Sequence, residues 1–176
     1  WQSFFELLAK SKPVIQIQSV EPLLYKNIIE LVAIIKRNKM ECHLTTNGFA
    51  LPERADDLVK TGIDCVSISC DGPEEIHNFI RADNRSFQKI VEGINALKLA
   101  ISKTGAQTKI RINFTISENN YHYITDTAEF FFKLKIDAMT FTHLNFVTSK
   151  MSGEFNANFP ELGTIGPSII APERLK

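Results

Sequence analysis

The sequence predicts an α/β domain built on a parallel sheet, and three observations support this class. Short runs of β-forming residues alternate with segments of helical periodicity along most of the chain. The repeating unit is about thirty residues long, the usual size of a strand–helix–strand unit. A helix separates every pair of consecutive strands, whereas antiparallel neighbours need only a short hairpin. Such alternation favours parallel strands joined by right-handed crossovers.

Each predicted strand is a short run of β-forming residues followed by turn residues. In chain order the predicted strands are Val14–Gln18, Glu41–Thr46, Cys65–Ser69, Lys109–Ile116 and Ala138–His143. In the first four, polar side chains alternate with apolar ones and so share one face. Strands covered on both faces are uniformly apolar. The polar faces therefore favour a sheet that curls around a polar interior, although periodicity alone leaves a flat, open sheet as the alternative.

The segments between the strands carry apolar residues at helical spacing. In chain order the predicted helices are 1–10, Asn27–Lys36, Glu53–Lys60, Glu74–Ile80, Phe87–Ser102 and Tyr121–Leu134. Gly62 is expected to cap the third of these helices and Ser86 the fifth. After Asn145 the pattern disappears among glycines and prolines. We therefore expect a domain over residues 1–147 and an irregular, in part disordered, segment over residues 148–176.

Composition narrows the classes of function. Of 176 residues, 44% are hydrophobic and 23% charged, which is typical of one folded globular domain. Twenty basic and twenty acidic residues cancel, so nothing favours binding to nucleic acid or to a membrane surface. We find neither a signal peptide nor an apolar run long enough to cross a bilayer. Three cysteines without a Cys-x-x-Cys pair favour small buried thiols and a reducing cytoplasm.

Every predicted strand ends in polar residues. These are Ser19 and Glu21, Thr46 and Asn47, Ser69 and Asp71, Asn113 and Thr115, and Thr142 and His143. The carboxyl ends of parallel strands meet at one edge, where α/β folds bind their ligands. Each residue alone has a plainer explanation, such as an Asx turn at Asp71, but the coincidence of all five predicts a polar site. His77 and Arg81, four residues apart on one helix face, are either a local surface pair or catalytic.

Four segments together resemble the core of a radical S-adenosylmethionine enzyme, most of all the branch of peptide- and protein-modifying maturases. They are EPLLY at Glu21–Tyr25, CHLTTNG at Cys42–Gly48, VSISCDGPEEIHNFIR at Val66–Arg81 and KIRINFTI at Lys109–Ile116. The resemblance covers about residues 14–147. It implies a partial, TIM-like (β/α) barrel whose first strand is missing from this chain. It also implies S-adenosylmethionine and a 4Fe–4S cluster as cofactors.

The resemblance further implies the positions that contact the cofactor. In the family a Gly-Gly-Glu-Pro turn holds the amino group of S-adenosylmethionine, polar groups after the fourth strand contact the ribose, and a polar residue on the fifth strand faces the cofactor. The corresponding positions here, with the Thr-Asn-Gly turn, are Ser19, Glu21, Pro22, Thr46, Asn47, Ser69, Asp71 and Asn113. The resemblance assigns no catalytic residue and no metal ligand in this sequence.

Two departures from the family pattern limit this interpretation. The Cys-x-x-x-Cys-x-x-Cys loop that binds the cluster is absent, and the three cysteines present cannot replace it. The simplest explanation is an N-terminal truncation that removes this loop, so we expect this chain alone to be inactive. Ser19 and Val20 replace the glycine pair, and the β-branched Val20 is expected to crowd a ligand.

Three functions remain open from the sequence. A full-length enzyme would cleave S-adenosylmethionine reductively with an electron donor and abstract hydrogen from a substrate, for which a peptide is a candidate. A degenerate barrel without a cluster would act as a binding module. An unrelated barrel enzyme with a phosphate-type ligand has less support, because no glycine-rich phosphate loop precedes a helix.

Overall fold

The computed structural model describes residues 1–143, 148–158 and 160. Its centre is a five-stranded sheet in which the strands lie in the order of the chain. The strands are β1 Val14–Ile17, β2 Glu41–Thr46, β3 Cys65–Ser69, β4 Lys109–Ile116 and β5 Ala138–His143. β1 to β4 pair in parallel, with Gln16 opposite His43, Thr45 opposite Ser67, and Ser69 opposite Asn113. The predicted parallel α/β class is confirmed.

Helices connect the strands as predicted. They are α1 Gln2–Leu8, α2 Ile28–Arg37, α3 Leu51–Lys60, α4 Glu74–Arg81, α5 Ser86–Thr104, α6 Ile124–Lys133 and α7 Ser149–Asn158, with short 3₁₀ helices at Ala9–Ser11, Pro22–Leu24 and Tyr121–Tyr123. Within the described residues, none of these helices has the length and apolarity needed to span a bilayer. Ser86, which the sequence placed at the cap of α5, is its first residue, and Arg85 stands at the cap. The Ser86 hydroxyl bonds to His77.

The chain divides into two compact units, Trp1–Thr142 and His143–Lys176. α7 corrects the expectation of an irregular segment after residue 147. One glycine, Gly153, lowers helix stability by about 1 kcal/mol but does not end a helix. Most of the other helix-breaking residues of this segment follow Pro160 and lie outside the described residues.

The apolar face of the sheet forms the core with the helices. The side chains of Leu44, Val66, Ile68 and Ile112 are at most 2% exposed and belong to one hydrophobic cluster. α3 and α5 pack closely in this layer, because a Cβ on Gly93 would lie 2.9 Å from the side chain of Leu51.

The opposite side of the sheet, here called the polar face, carries the alternating hydrophilic residues of the strands. The pairing registers place Gln16 and His43 in one row, Thr45, Ser67 and Arg111 in the next, and Ser69 and Asn113 in a third. Five of them, His43, Thr45, Ser69, Arg111 and Asn113, are half-buried. Binary patterning therefore separates a packed apolar layer from a hydrophilic surface within one sheet.

The same pair of hydrogen bonds, made by an aspartate, joins the amino ends of β2 and β3 and those of β4 and β5. The Asp64 carboxylate accepts the Cys42 backbone N–H at 2.7 Å, and the Asp64 N–H donates to the Cys42 carbonyl at 3.1 Å. Asp137 and Ile110 repeat both contacts, at 2.8 and 2.9 Å. Each aspartate thus connects the amino end of the strand that follows it to the amino end of the preceding strand.

Candidate functional site

The carboxyl ends of β1 to β4 lie at one edge of the sheet, because the strands are parallel. We call this edge the rim. It comprises residues 19–22, 46–48, 69–72 and 113–115, and so contains all eight site residues predicted from the sequence. Two carboxylates, from Glu21 and Asp71, hold its two halves.

Glu21 joins the ends of β1 and β2. One carboxylate oxygen accepts the Leu23 N–H at 3.0 Å and the Thr46 hydroxyl at 2.7 Å. The other accepts the Asn47 N–H at 2.7 Å. Pro22, which is buried, begins the 3₁₀ helix that Glu21 caps. The half-buried Glu21 side chain therefore serves as a clamp that fixes the turn, while Ser19 and Val20 before it are exposed.

The Thr46-Asn47-Gly48 turn is shaped by its own side chains. The Thr46 hydroxyl accepts the Gly48 N–H at 3.0 Å, and the Asn47 side-chain oxygen accepts the Phe49 N–H at 2.9 Å. Gly48 has φ +84°, and a Cβ there would lie 2.9 Å from Cγ1 of Ile90 on α5. The glycine is needed both for the left-handed backbone and for the close approach of α5.

Asp71 organises the turn after β3. Its side chain is almost fully buried; one carboxylate oxygen lies 2.7 Å from the Arg81 guanidinium and the other accepts the Thr115 N–H at 3.3 Å. Its carbonyl accepts a hydrogen bond from the Asn120 side chain at 2.9 Å. Arg81, His77 and Asn120 with Asp71 form what we call the Asp71 hub. The carboxylate that the sequence assigned to a ribose is thus engaged within the protein.

His77 lies inside the hub and is 0% exposed, so His77 and Arg81 are not the surface pair considered from the sequence. The His77 Nδ1 accepts the Asp71 backbone N–H at 3.1 Å, and the Nε2 is 2.9 Å from the Ser86 hydroxyl. Burial, with a smaller contribution from the Arg81 charge, lowers the pKa of His77 to about 4. The imidazole is therefore neutral at physiological pH.

The side chains of Ser69 and Asn113 contrast with the two carboxylates. They lie opposite each other on β3 and β4, half-buried, and neither forms a side-chain hydrogen bond within the described residues. Arg111, lower on the polar face, is likewise without a carboxylate partner in the described part of the chain. These three side chains are therefore among the groups of the rim and the polar face that remain open to a ligand.

Sequence reasoning missed Asn120 and Ser86. The Asn120 side chain bonds to the carbonyls of Asp71 and Thr115, and its oxygen accepts the Ser117 N–H at 2.7 Å. Asn120 reaches Asp71 across 49 residues of chain, and Ser86 bonds to His77 nine residues before it, a separation that matches no helical or strand period. His143, at the end of β5, belongs to the second compact unit.

A separate apolar cavity of about 280 Å³ lies on the helix side of the β3 turn. Gly72, Phe87, Phe130 and Phe131 form much of its wall. Because it opens between helices, it does not belong to the polar face.

The cysteines do not fit an iron–sulfur cluster. Cys42, Cys65 and Cys70 are free and buried in or beside the sheet, and burial raises the pKa of Cys42 and Cys70 to about 12. Cluster ligation needs thiolates. Among the residues that the structure describes, no group of histidine, cysteine or acidic side chains is arranged to hold a metal ion. The expectation that these cysteines are small buried side chains is confirmed.

Comparisons with known proteins agree on one family. The model of the family described as Radical SAM superfamily matches residues 4–131. The chain is 28% identical over 152 residues to an Fe-coproporphyrin III synthase of Methanosarcina barkeri, covering 85% of this chain and 37% of that protein. It is 28% identical over 116 residues to an AdoMet-dependent heme synthase of Nitratidesulfovibrio vulgaris, covering 65% and 30%.

Solved structures show the same fold. The chain superimposes on anSMEcpe with bound AdoMet and the Cp18Cys peptide with a TM-score of 0.66 at 17% identity, covering 92% of this chain and 50% of the other. For Streptococcus suis SuiB bound to the precursor peptide SuiA the TM-score is 0.58 at 16% identity, covering 92% and 39%. The chain spans well under half of the length of the curated relatives named above. The family model covers most of the 176 residues, and the chain therefore belongs to the radical S-adenosylmethionine (SAM) superfamily, whose cofactors are SAM and a 4Fe–4S cluster.

Proposed function

We propose that this chain forms the SAM-binding part of a radical SAM enzyme, and that the rim contacts the cofactor. The proposal assigns the site to Ser19, Glu21, Pro22, Thr46, Asn47, Ser69, Asp71 and Asn113. The observation that carries it is the pair of unengaged polar side chains, Ser69 and Asn113, opposite each other at the rim. They are held in place by turns whose own polar groups are satisfied.

The hydrogen bonds divide these residues into two roles. We assign direct contact with the ribose hydroxyls to Ser69 and Asn113, because a hydroxyl and an amide can each donate and accept. Glu21 and Asp71 position the two turns, because neutral donors or a guanidinium already occupy their carboxylates. The backbone of the exposed Ser19–Val20 turn is left to face the amino group of SAM.

For the longer protein we propose reductive cleavage of SAM and hydrogen abstraction from a substrate. The cluster would be held, and electrons supplied, by groups outside this sequence, since its cysteines do not fit that role. A peptide is the candidate substrate, which the peptide-bound structures of anSMEcpe and SuiB support. The curated relatives carry other names, among them heme synthase and GTP 3',8-cyclase, so the substrate class rests on structural likeness alone. Three free cysteines fit a reducing cytoplasm.

The binding assignment is tested by titrating the purified chain with SAM by isothermal calorimetry. Ser69→Ala and Asn113→Ala are each expected to raise the Kd about tenfold, the effect of losing one hydrogen bond to the ligand. Ser102→Ala is the matched control, because this exposed serine near the end of α5 lies away from the rim. Absence of binding at millimolar SAM, or equal effects of all three substitutions, would contradict the assignment.

A cluster-free binding module is the second candidate function, favoured by the Ser19-Val20 pair and by the buried cysteines. Reconstitution of the longer protein with iron and sulfide in the absence of oxygen separates the two functions. A brown chromophore and formation of 5′-deoxyadenosine support the enzyme. SAM binding without either of them supports the binding module.

A further inference from the structure

The turn after β3 has its polar groups satisfied one after another. The Cys70 N–H donates to the Asn113 carbonyl at 2.9 Å, and its thiol lies 3.4 Å from the Gly72 carbonyl. The Asp71 carbonyl accepts from Asn120 and its carboxylate from Arg81 and Thr115. Within the part of the chain that the structure describes, the Asp71 N–H has the side chain of His77 as its one acceptor.

The tautomer of His77 follows from these contacts. A backbone N–H can only donate, so the Nδ1 that faces Asp71 must be unprotonated. The ring proton then sits on Nε2 and is donated to the Ser86 hydroxyl at 2.9 Å. His77 therefore links the turn after β3 to the first residue of α5. Its Nδ1 accepts one hydrogen bond and its Nε2 donates the other.

The surroundings of the ring keep it in this state. It is fully buried and lies against the ring of Phe87, with 6.3 Å between centroids. The charged groups beside it are Arg81, on its own helix, and Asp71, on the turn, and these two pair with each other. An imidazolium would add a second cation next to Arg81 and would lose the bond to the Asp71 N–H.

We propose that His77 is a positioning residue for cofactor binding, which it serves by holding the Asp71 amide and with it the Ser69 hydroxyl. The inference rests on the proposed SAM site. Ser69 precedes Asp71 by two residues, and the Cys70 N–H between them is bonded to the Asn113 carbonyl on β4, so a displaced Asp71 amide strains the last link of the β3–β4 pairing, next to Ser69 and Asn113. His77 itself is too deeply buried to contact a ligand on the polar face.

Two substitutions separate the functions of the two ring nitrogens. In His77→Asn the side-chain oxygen can take the place of Nδ1 and accept the Asp71 N–H. In His77→Gln the side-chain amide can take the place of Nε2 and donate to Ser86, leaving the Asp71 N–H without an acceptor. Both variants lose part of the ring's packing, so each serves as the control for the other.

The experiment measures SAM affinity by calorimetry and the Asp71 amide by hydrogen exchange in NMR. His77→Asn is expected to stay within about threefold of the wild-type Kd and to keep the Asp71 amide protected. His77→Gln is expected to weaken SAM binding at least tenfold and to speed exchange of that amide at least tenfold, at comparable thermal stability.

Equal losses of affinity in the two variants, or an Asp71 amide that stays protected in His77→Gln, would overturn the inference. The exchange measurement needs no ligand, so the two proposals can fail separately. A wild-type chain that does not bind SAM overturns the proposed site. In that case, fast hydrogen exchange of the Asp71 amide in His77→Gln but not in His77→Asn still supports the conclusion that His77 fixes the turn after β3.

Discussion

Glu21 and Asp71 hold the two halves of the rim in different ways. Glu21 is half-buried and accepts hydrogen bonds only from neutral groups, namely two backbone N–H groups and the Thr46 hydroxyl. Asp71 is 3% exposed and is paired with a guanidinium in addition to one backbone N–H. Both carboxylates connect the end of one strand to the next, but only the more deeply buried one recruits a cation.

We attribute the difference between Glu21 and Asp71 to their burial. Water can still reach Glu21, so neutral donors suffice to offset the burial of its carboxylate. A carboxylate removed from water must be paired and hydrogen-bonded, and losing one partner of such a pair is strongly destabilising. We therefore expect substitutions in the Asp71 hub to cost more stability than equivalent substitutions around Glu21.

The largest effect is expected from Asp71→Asn. The change removes the ion pair with Arg81 and leaves that guanidinium, 36% exposed, without its acceptor. We expect a loss of about 3 to 4 kcal/mol in the free energy of unfolding, measured by urea denaturation. Asp56→Asn, which breaks an exposed pair with Lys60, is the control and should leave stability unchanged. Similar effects of the two changes would refute the burial argument.

His77 should make the Asp71 hub sensitive to acid. Its folded pKa of about 4 lies below the ordinary value of 6.5, so the unfolded chain binds a proton that the folded chain excludes. Stability from this residue is complete above pH 6.5 and is lost as the pH falls toward 4, by about 3 kcal/mol in total. Urea denaturation of wild type and His77→Asn between pH 7 and 4 should show a smaller loss in the variant. Parallel curves would contradict the assignment.

Gly48 tests the backbone on the Glu21 side of the rim. Gly48→Ala places a Cβ at positive φ and within 2.9 Å of Ile90, so we expect a loss of about 2 to 3 kcal/mol. Gly105→Ala has a similar φ of +69° with no atom within 4 Å and should cost only about 1 kcal/mol. The difference in melting temperature between the variants measures the close approach of α5. If it vanishes, packing at this turn is not restrictive.

Glu21→Gln should have the smallest effect. With the new NH₂ group facing Thr46, that hydroxyl can turn to accept from it, and the remaining oxygen keeps the Asn47 N–H, so only the Leu23 N–H loses its acceptor. We expect a loss of about 1 kcal/mol on chemical denaturation. Glu118→Gln, at an exposed position with no ion pair to any other described residue, should be neutral. A loss as large as that of Asp71→Asn would erase the contrast between the two carboxylates.

Local pattern predicted the sheet well. The bounds of β2 to β5 agree with those expected, because alternation of polar and apolar side chains marks each strand residue by residue. The rim was predicted for the same reason, since parallel strands must end together. The spacing of His77 and Arg81 indicated that they lie near each other, but it could not show how deeply they are buried.

The partners within the rim could not be predicted. Asn120 reaches Asp71 across 49 residues of chain, and Thr46 reaches Glu21 across 25. Such contacts depend on how helices and loops pack against the sheet, which a short-range pattern does not contain. For the same reason the sequence could not show that Asp71, which the resemblance places at the ribose, lies at the centre of an internal network.

The paired contacts of Asp64 and Asp137 have a consequence for fidelity of folding. Because side chains alternate, a slip of one residue between neighbouring strands would turn hydrophilic side chains toward the helix layer and apolar side chains toward solvent. Each aspartate forms hydrogen bonds with both the N–H and the carbonyl of one residue on the adjacent strand, Cys42 or Ile110. A shifted alignment would forfeit both bonds at once. The two aspartates, which lie far from the rim, therefore favour the native strand register over shifted ones.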